Sequence, residues 1–482
     1  MIRHPLLAAT ACLALLATGC GDSGDGPPVT EREQKVGAEQ HPKLLAEFGG
    51  AYQAPEAEYL RRLGERVAVA ANLEGQCTFT LINSDVVNAF AVPGCFIYVT
   101  RGLMGIVNSE AELASVLAHE LGHIVGNHSE QQQKRSVWRN VGVAAVGVLT
   151  GSDRLAGIAG EAAAFFGLRY SRKQEYEADD LGLATLKAAG LDPYEAADML
   201  GALGRNEQFM AATRSTDAAK AIPEWARTHP LTENRIARAR DGAAATGVAD
   251  NELPENVAEY LREVDGLLYG DDPAQGFVLG RRFAHPVMRI GFEAPPGFTL
   301  TNSPQSIRID GPEGLRGEFG GGEMPPGGVG AYAEAVLAAL LGDAPVQPGP
   351  VQETVVNGVP ALFVPTVVST EQGEVTLSLM AYAAGPRSAY HFIMVSPPDG
   401  AAPEALQTLL GSFRLLSAEE AATLRPRMIQ VVPASPADTW QSLAGRMASD
   451  RPLDHILMLN GRTASEPIKP GEGLKIVTLA GR

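Results

Sequence analysis

The sequence predicts an α+β multidomain chain, mostly helical at first and strand-rich later, and three observations carry that expectation. Its 482 residues exceed what one hydrophobic core usually organises. Up to about residue 272 the apolar residues recur mainly at helical spacing, with short strands between them. From residue 276 to about 416 the pattern changes to short β-rich runs broken by Pro and Gly, and 428–480 reads strand, helix, helix, strand. The expected division is a leader (1–19), a tether (20–30), a first domain (31–272), a small α+β domain (276–416) and a βααβ module (428–480).

The leader has Arg3 and His4, then an apolar run through Leu16 that is too short to span a bilayer, as in a secretory signal. Ala17-Thr18-Gly19-Cys20 resembles a lipobox, which would make Cys20 the site of a diacylglycerol anchor. Gly21 in the next position resembles an outer-membrane address. The expected location is the periplasmic face of the outer membrane, with the inner membrane and soluble periplasm as alternatives. Residues 22–28 form a Gly/Pro/Asp tether.

Helices are expected over 30–48, capped by Thr30 and closed by Gly49-Gly50, and over 55–72, both wrapping the helix that follows. Strands are expected over 77–83, 88–92 and 95–100. Cys77 and Cys95 open two of these, and the remaining cysteines, Cys12 and Cys20, belong to the leader. An exported pair suggests a disulfide, provided strand 88–92 is the sheet edge, because the other two are then parallel neighbours with adjacent starts. The alternative is two buried thiols.

The organising stretch is 109–128. Ser109 and Glu112 form the pattern of a capping box, and Leu113, Val116, Leu117, Leu121 and Ile124 recur on one face. His119 and His123 lie one turn apart, so both imidazoles leave the same side and can share one zinc ion. Glu120 stands beside the first ligand, where it can take a proton from an attacking water. For the third ligand, Gly126 fits one zincin pattern, but that pattern's next histidine position is Ser129, and His128 is off by one. A second plan takes a carboxylate from a later helix. Ser171 and Gln174 make another capping box and place Glu175 in a first turn, where the helix dipole favours an ionised carboxylate. Asp179, one turn on, is placed to hydrogen-bond a ligand histidine. The expected set is therefore His119, His123 and Glu175 on one zinc ion, with Glu120 and Asp179 in catalytic support.

Three segments in this order resemble the forty-eighth family of metallopeptidases, the HtpX-like and CAAX-prenyl-protease-like gluzincins. They are His119-Glu120-x-x-His123, Glu175-x-x-Ala178-Asp179, and Asn88-Ala89-Phe90-Ala91-Val92-Pro93-Gly94 running into Tyr98-Val99-Thr100-Arg101-Gly102-Leu103. The resemblance covers about 31–245, and Cys95 departs from it where the family commonly has a second glycine. It implies a mostly helical peptidase domain with a small sheet. It also implies that Asn88, Ala89 and Phe90 form an edge strand that holds extended polypeptide by backbone hydrogen bonds. Thr228-His229-Pro230 resembles a family loop near the metal, so His229 either stabilises an oxyanion, fills the open metal position at rest, or is a structural histidine. The implied activity is zinc-dependent endoproteolysis of misfolded or misassembled envelope proteins. The rivals are a non-proteolytic chaperone or scaffold and a wall-binding structural lipoprotein.

The apolar runs at 141–149 and on to 166 read as a buried helical hairpin or a patch near the membrane or cleft, and 206–220 as a loop over the cleft. Residues 276–416 offer no catalytic constellation. Gly320-Gly321-Gly322 reads as a turn, and His41, His285, His391 and His455 as structural. Asp438-Thr439-Trp440, Asn460-Gly461 and Ile468-Lys469-Pro470-Gly471 resemble a LysM-type module, which implies either a peptidoglycan partner or a protein-contacting role. A net charge of −17 argues against nucleic acid and supplies no basic patch for anionic lipid.

Overall fold

The computed structural model describes residues 29–129, 131, 170–213, 229, 233–342, 346–370, 373–396 and 404–481. The leader with Cys20 and the apolar runs of 141–166 lie outside these residues. Helix α1 (Glu31–Glu47) starts from a complete capping box between Thr30 and Glu33. Helix α2 (Pro55–Ala70) follows, with proline in its first turn, where its missing N–H costs nothing. A three-stranded sheet comes next, with strands β1 (Thr78–Ile82), β2 (Ala89–Val92) and β3 (Phe96–Thr100) in the order β1-β3-β2. Strand β1 runs parallel to β3 in the register Thr78 to Phe96, and β2 is antiparallel to β3 at the edge. Cys77 and Cys95 therefore sit side by side, with Cα atoms 4.6 Å apart, and form a disulfide. The β2–β3 turn explains the departure at position 95. Both Gly94 (φ +89°) and Cys95 (φ +61°) are left-handed, a conformation in which glycine is unstrained, and at Cys95 a covalent bond holds it.

Helix α3 (Arg101–Ile106) leads into α4 (Glu110–Val125), in which every residue from Glu110 to Ile124 is buried. The apolar face expected for α4 is there, but the helix has no solvent face at all. Its capping box is only half formed. Ser109 accepts the Glu112 amide, while the Glu112 carboxylate takes the N–H of Asn108 instead of that of the cap. Helix α2 packs on α4 as expected. Helix α1 does not. Its Leu44 clusters with Ile82, Val92 and Tyr98 on the outer face of the sheet, because side chains alternate across each strand and residues 97 and 99 take the α4 side.

Helix α5 (Arg172–Ala188) starts from a complete capping box between Ser171 and Gln174, and lies against α4. Helix α6 (Glu195–Thr213) extends through 206–213, so that part of the expected loop is helical, and the rest lies outside the described residues. Helices α7 (Glu233–Ala245) and α8 (Val257–Val264) and strand β4 (Leu268–Tyr269) complete this region.

Strands β5 (Phe277–Leu279), β6 (Arg282–His285) and β7 (Ile290–Glu293) start the strand-rich part. An eight-stranded antiparallel sheet follows, made of β8 (Thr299–Asn302), β9 (Ile307–Asp310), β10 (Arg316–Glu323), β11 (Val346–Pro348), β12 (Gln352–Val356), β13 (Val359–Thr370), β14 (Gly373–Ala383) and β15 (Ser388–Ser396). Helix α9 (Gly328–Leu341) packs on β13 and β14. The three glycines at 320–322 are strand, not turn. Gly321 opposes Tyr390 in β15, and a Cβ there would lie 2.4 Å from that ring. Helix α10 (Glu404–Gly411), strand β16 (Arg414–Leu415) and helix α11 (Ala418–Thr423) lead to β17 (Arg427–Pro433), α12 (Trp440–Ala444), α13 (Pro452–Leu459) and β18 (Gly473–Leu479), which is the expected β-α-α-β order. Here the structure crosses an expected boundary, because β17 pairs with β4 as well as β18, in the order β18-β17-β4.

Candidate metal centre

The close approach of α4 and α5 builds the site. A Cβ on Gly122 would lie 2.8 Å from the carbonyl of Ala178, so the helices touch backbone to backbone between the two histidines. Ala178 is fully buried at this contact. That proximity carries Glu175 to the imidazoles. His119 Nε2 and His123 Nε2 stand 3.1 Å apart, and Glu175 Oε1 lies 3.6 Å from His123 Nε2. His229 joins them, with its Nδ1 2.9 Å from Glu175 Oε1 and 3.3 Å from His119 Nε2. One donor atom from each of these four buried residues falls within a 4.8 Å group. Zinc bonds of about 2.0–2.1 Å imply tetrahedron edges of about 3.3 Å, and the observed separations bracket that value. The donor set, two or three imidazoles and a carboxylate, is zinc chemistry.

Glu120 is 1% exposed, and its Oε1 has no hydrogen-bond partner among the described residues. His229 Nε2 is 3.7 Å from that oxygen. A buried carboxylate oxygen left without a donor is costly unless a ligand or water completes it. The site therefore fits a metal with a water or substrate group beside it.

Asp179 Oδ1 lies 3.0 Å from His119 Nδ1, which favours the proton on that nitrogen and leaves Nε2 as the one that could donate to a metal. Burial pushes the Asp179 carboxyl up, but hydrogen bonds from His119 and Arg235 outweigh it and hold the group ionised. Burial likewise drives His123 far down, so it stays neutral as a ligand must. Behind His119, Asp179 and Arg235 a small, mainly apolar cavity of about 30 Å³ is walled by Val116, Leu200 and Leu203.

Two participants escaped the sequence reading. Arg235, 1% exposed, sends Nε and Nη2 to Asp179, each at 2.8 Å, and places Nη1 2.9 Å from Glu175 Oε2. His128 stands outside the group of four, with its Nδ1 2.8 Å from His123 Nδ1. The signal for His128 was present in its position just past the helix end, where the chain can fold back over the last turn. The signal for Arg235 was weak, since a buried arginine is recognisable only from its partners. The edge strand expected to hold substrate is β2, beside α4, with Ala89 buried and Phe90 stacked on Tyr98 at 4.8 Å. Among the described residues β2 pairs only with β3. His41, His285, His391 and His455 each hydrogen-bond a tyrosine hydroxyl or a backbone carbonyl, away from this centre.

A buried His-Glu-x-x-His helix, joined by a glutamate from the next described helix, defines a gluzincin-type metallopeptidase architecture. Residues 54–243 match the model of peptidase family M48. It is 32% identical over 196 residues to the β-barrel assembly-enhancing protease of Yersinia pestis, covering 39% of this chain and 38% of that one. It is 31% identical over 169 residues to the mitochondrial metalloendopeptidase OMA1 of Arabidopsis thaliana, covering 35% and 32% respectively. It is 26% identical over 197 residues to the metalloprotease LoiP of Escherichia coli strain K12, covering 40% and 73%. The chain thus spans 38% of the length of the first of these relatives. No described helix is long and apolar enough to cross a membrane.

Proposed function

We propose that this chain is a zinc-dependent endopeptidase acting on polypeptides of the bacterial envelope. The observation that carries the reading is the convergence of His119, His123 and Glu175 beside a buried Glu120 oxygen that lacks a partner. His119 and His123 would hold one zinc ion through Nε2, and Glu175 through Oε1. When bound, zinc would polarise the scissile carbonyl and let a water ionise near neutral pH. Glu120 Oε1 accepts the proton of the attacking water and returns it to the leaving amine nitrogen. Asp179 holds the Nδ1 proton of His119, and His128 does the same for His123. Strand β2 would take the substrate as an added strand, with Asn88, Ala89 and Phe90 aligning its backbone beside α4.

His229 supports a further feature of this reading. With it in place the donor set is four, the closed arrangement of a site at rest, and His229 must withdraw to admit substrate. The same closure is what a chaperone or scaffold with a plugged site would show, which keeps that second reading in view. The relatives' names, one of them tied to β-barrel assembly, support envelope proteins as substrates. We assign the Cys20 lipid anchor and peptidoglycan contact through 428–480 to the same proposal.

Glu120→Gln tests it. Loss of a general base costs about 10²–10⁴-fold in kcat. Casein cleavage should fall by that amount in the variant while zinc content is retained, and chelation should abolish it in wild type. Equal, chelator-insensitive cleavage by both proteins would refute the peptidase, and no cleavage by either would favour the scaffold.

A further inference from the structure

We propose that the βααβ unit of 427–479 is a built-in part of the catalytic body, and that Lys475 is a positioning residue for the helix carrying His119, Glu120 and His123. The proposal rests on the peptidase reading for the role of that helix, while the linkage itself stands on geometry alone.

Strand β18 has two faces. Leu474 and Ile476 point into the small unit's own core, with Trp440 and Leu443. Period-two alternation puts Lys475 and Val477 on the other face, and Val477 joins Ile429, Met458 and Leu459 in the core that surrounds α4. Lys475 is fully buried there. Its Nζ donates to the carbonyls of Gly105, at 2.9 Å, and Val107, at 2.5 Å. Those carbonyls lie at the C-terminal end of α3, where the Tyr260 hydroxyl serves Met104 O and the Asn108 side-chain amide serves Ile106 O. The next residue, Asn108, gives its N–H to Glu112 Oε2 at 2.6 Å, and Ser109 caps α4 through the Glu112 amide at 2.9 Å while bonding Glu195. One amine from the chain's last strand thus ties down the joint from which the catalytic helix starts.

The rest of the contact is equally intimate. Ile429 exchanges backbone hydrogen bonds with Gly266 and Leu267, at 2.8 and 2.9 Å. His455 bonds the Tyr269 hydroxyl at 2.7 Å and stacks on Phe209 of α6 at 4.8 Å. Apolar packing alone would attach the unit, and a buried ammonium is costly unless it is well paired. What the lysine adds is direction. Burial pushes the Lys475 amine down to about 7, and the Glu112 carboxylate across the joint opposes that shift while Arg205 of α6 adds to it. From Glu112 to His119 is about two turns of helix, roughly 10 Å, so a tilt at the joint is carried to the metal ligands. A displacement of about 1 Å there can cost ~10²-fold in rate.

The test uses the full chain and Lys475→Met, which keeps length and apolar volume but removes the donors. Zinc content and KM for a casein peptide should stay within about twofold of wild type, kcat should fall at least about tenfold, and Lys475→Arg should restore part of it. A variant with unchanged kcat and a lower Tm would overturn the positioning role. Native-state hydrogen exchange on wild type provides an arm free of folding failure and of any activity. The amides of Leu113 and Val477 should open in one common unfolding. If 427–479 exchanges through a cheaper opening that leaves Leu113 protected, the unit is an appendage and the proposal fails. Wild type without proteolytic activity would sink the peptidase reading and leave the exchange result to decide the linkage.

Discussion

Arg235 offers the sharpest test of the electrostatics around the site. Its guanidinium is the cation shared by two buried carboxylates, Asp179 at 2.8 Å and Glu175 at 2.9 Å. Arg235→Met keeps most of the packing volume and removes the charge. Removing one partner of a buried ion pair costs about 3–5 kcal/mol, since the other is left uncompensated. For a body of about 150–250 residues each kcal/mol is worth roughly 2–4 °C, so Tm should fall by roughly 6–20 °C. Zinc gives Glu175 another cation, so the deficit should be larger in chelator than in saturating zinc. Arg235→Lys should recover only part of it, because a single ammonium cannot span both carboxylates as the planar fork does. Scanning calorimetry of the three proteins with zinc and with chelator reads all six values. A methionine variant melting within about 2 °C of wild type under both conditions would refute the reasoning.

Two other perturbations bear on the same elements. His128→Phe removes the group that fixes the His123 ring and should weaken zinc about 10–100-fold in a competition titration, with unchanged affinity refuting the role. Burial pushes Glu195 up to about 8, well above its usual 4.5, against a hydrogen bond from Ser109. A carboxyl raised on folding contributes stability that is complete below about pH 4.5 and is lost as pH rises through about 8. Glu195→Gln should therefore match wild type near pH 5 and melt higher than it at pH 9. A difference independent of pH would show that Glu195 is not held protonated.

Much of the centre was legible because it is written in local periods. His119 and His123 are one helical turn apart, and so are Glu175 and Asp179, and both helices start at recognisable caps. Gly122 and Ala178 also sit within those motifs, and their smallness lets the two helices meet. The disulfide followed from strand order, since a parallel β1–β3 pair with β2 outside puts Cys77 beside Cys95. The reading failed where partners come from afar. The joint before α4 takes the Lys475 amine on the carbonyls of Gly105 and Val107, some 370 residues away along the chain. The glycines at 320–322 look like a turn until they are seen paired in a strand, with Tyr390 in the space a side chain at Gly321 would need.

By itself the sequence determined the metal-binding helices, the carboxylate that faces them and the α+β character of the chain, because backbone period and side-chain chemistry are local properties. Only the tertiary structure decided that His229 stands beside Glu175 and His119, that Arg235 bridges two carboxylates, and that the last described strand packs into the core around α4. Those depend on which buried charges meet. A buried charge is tolerable only beside its partner, and the partner's place is a property of the packed chain, not of any stretch within it.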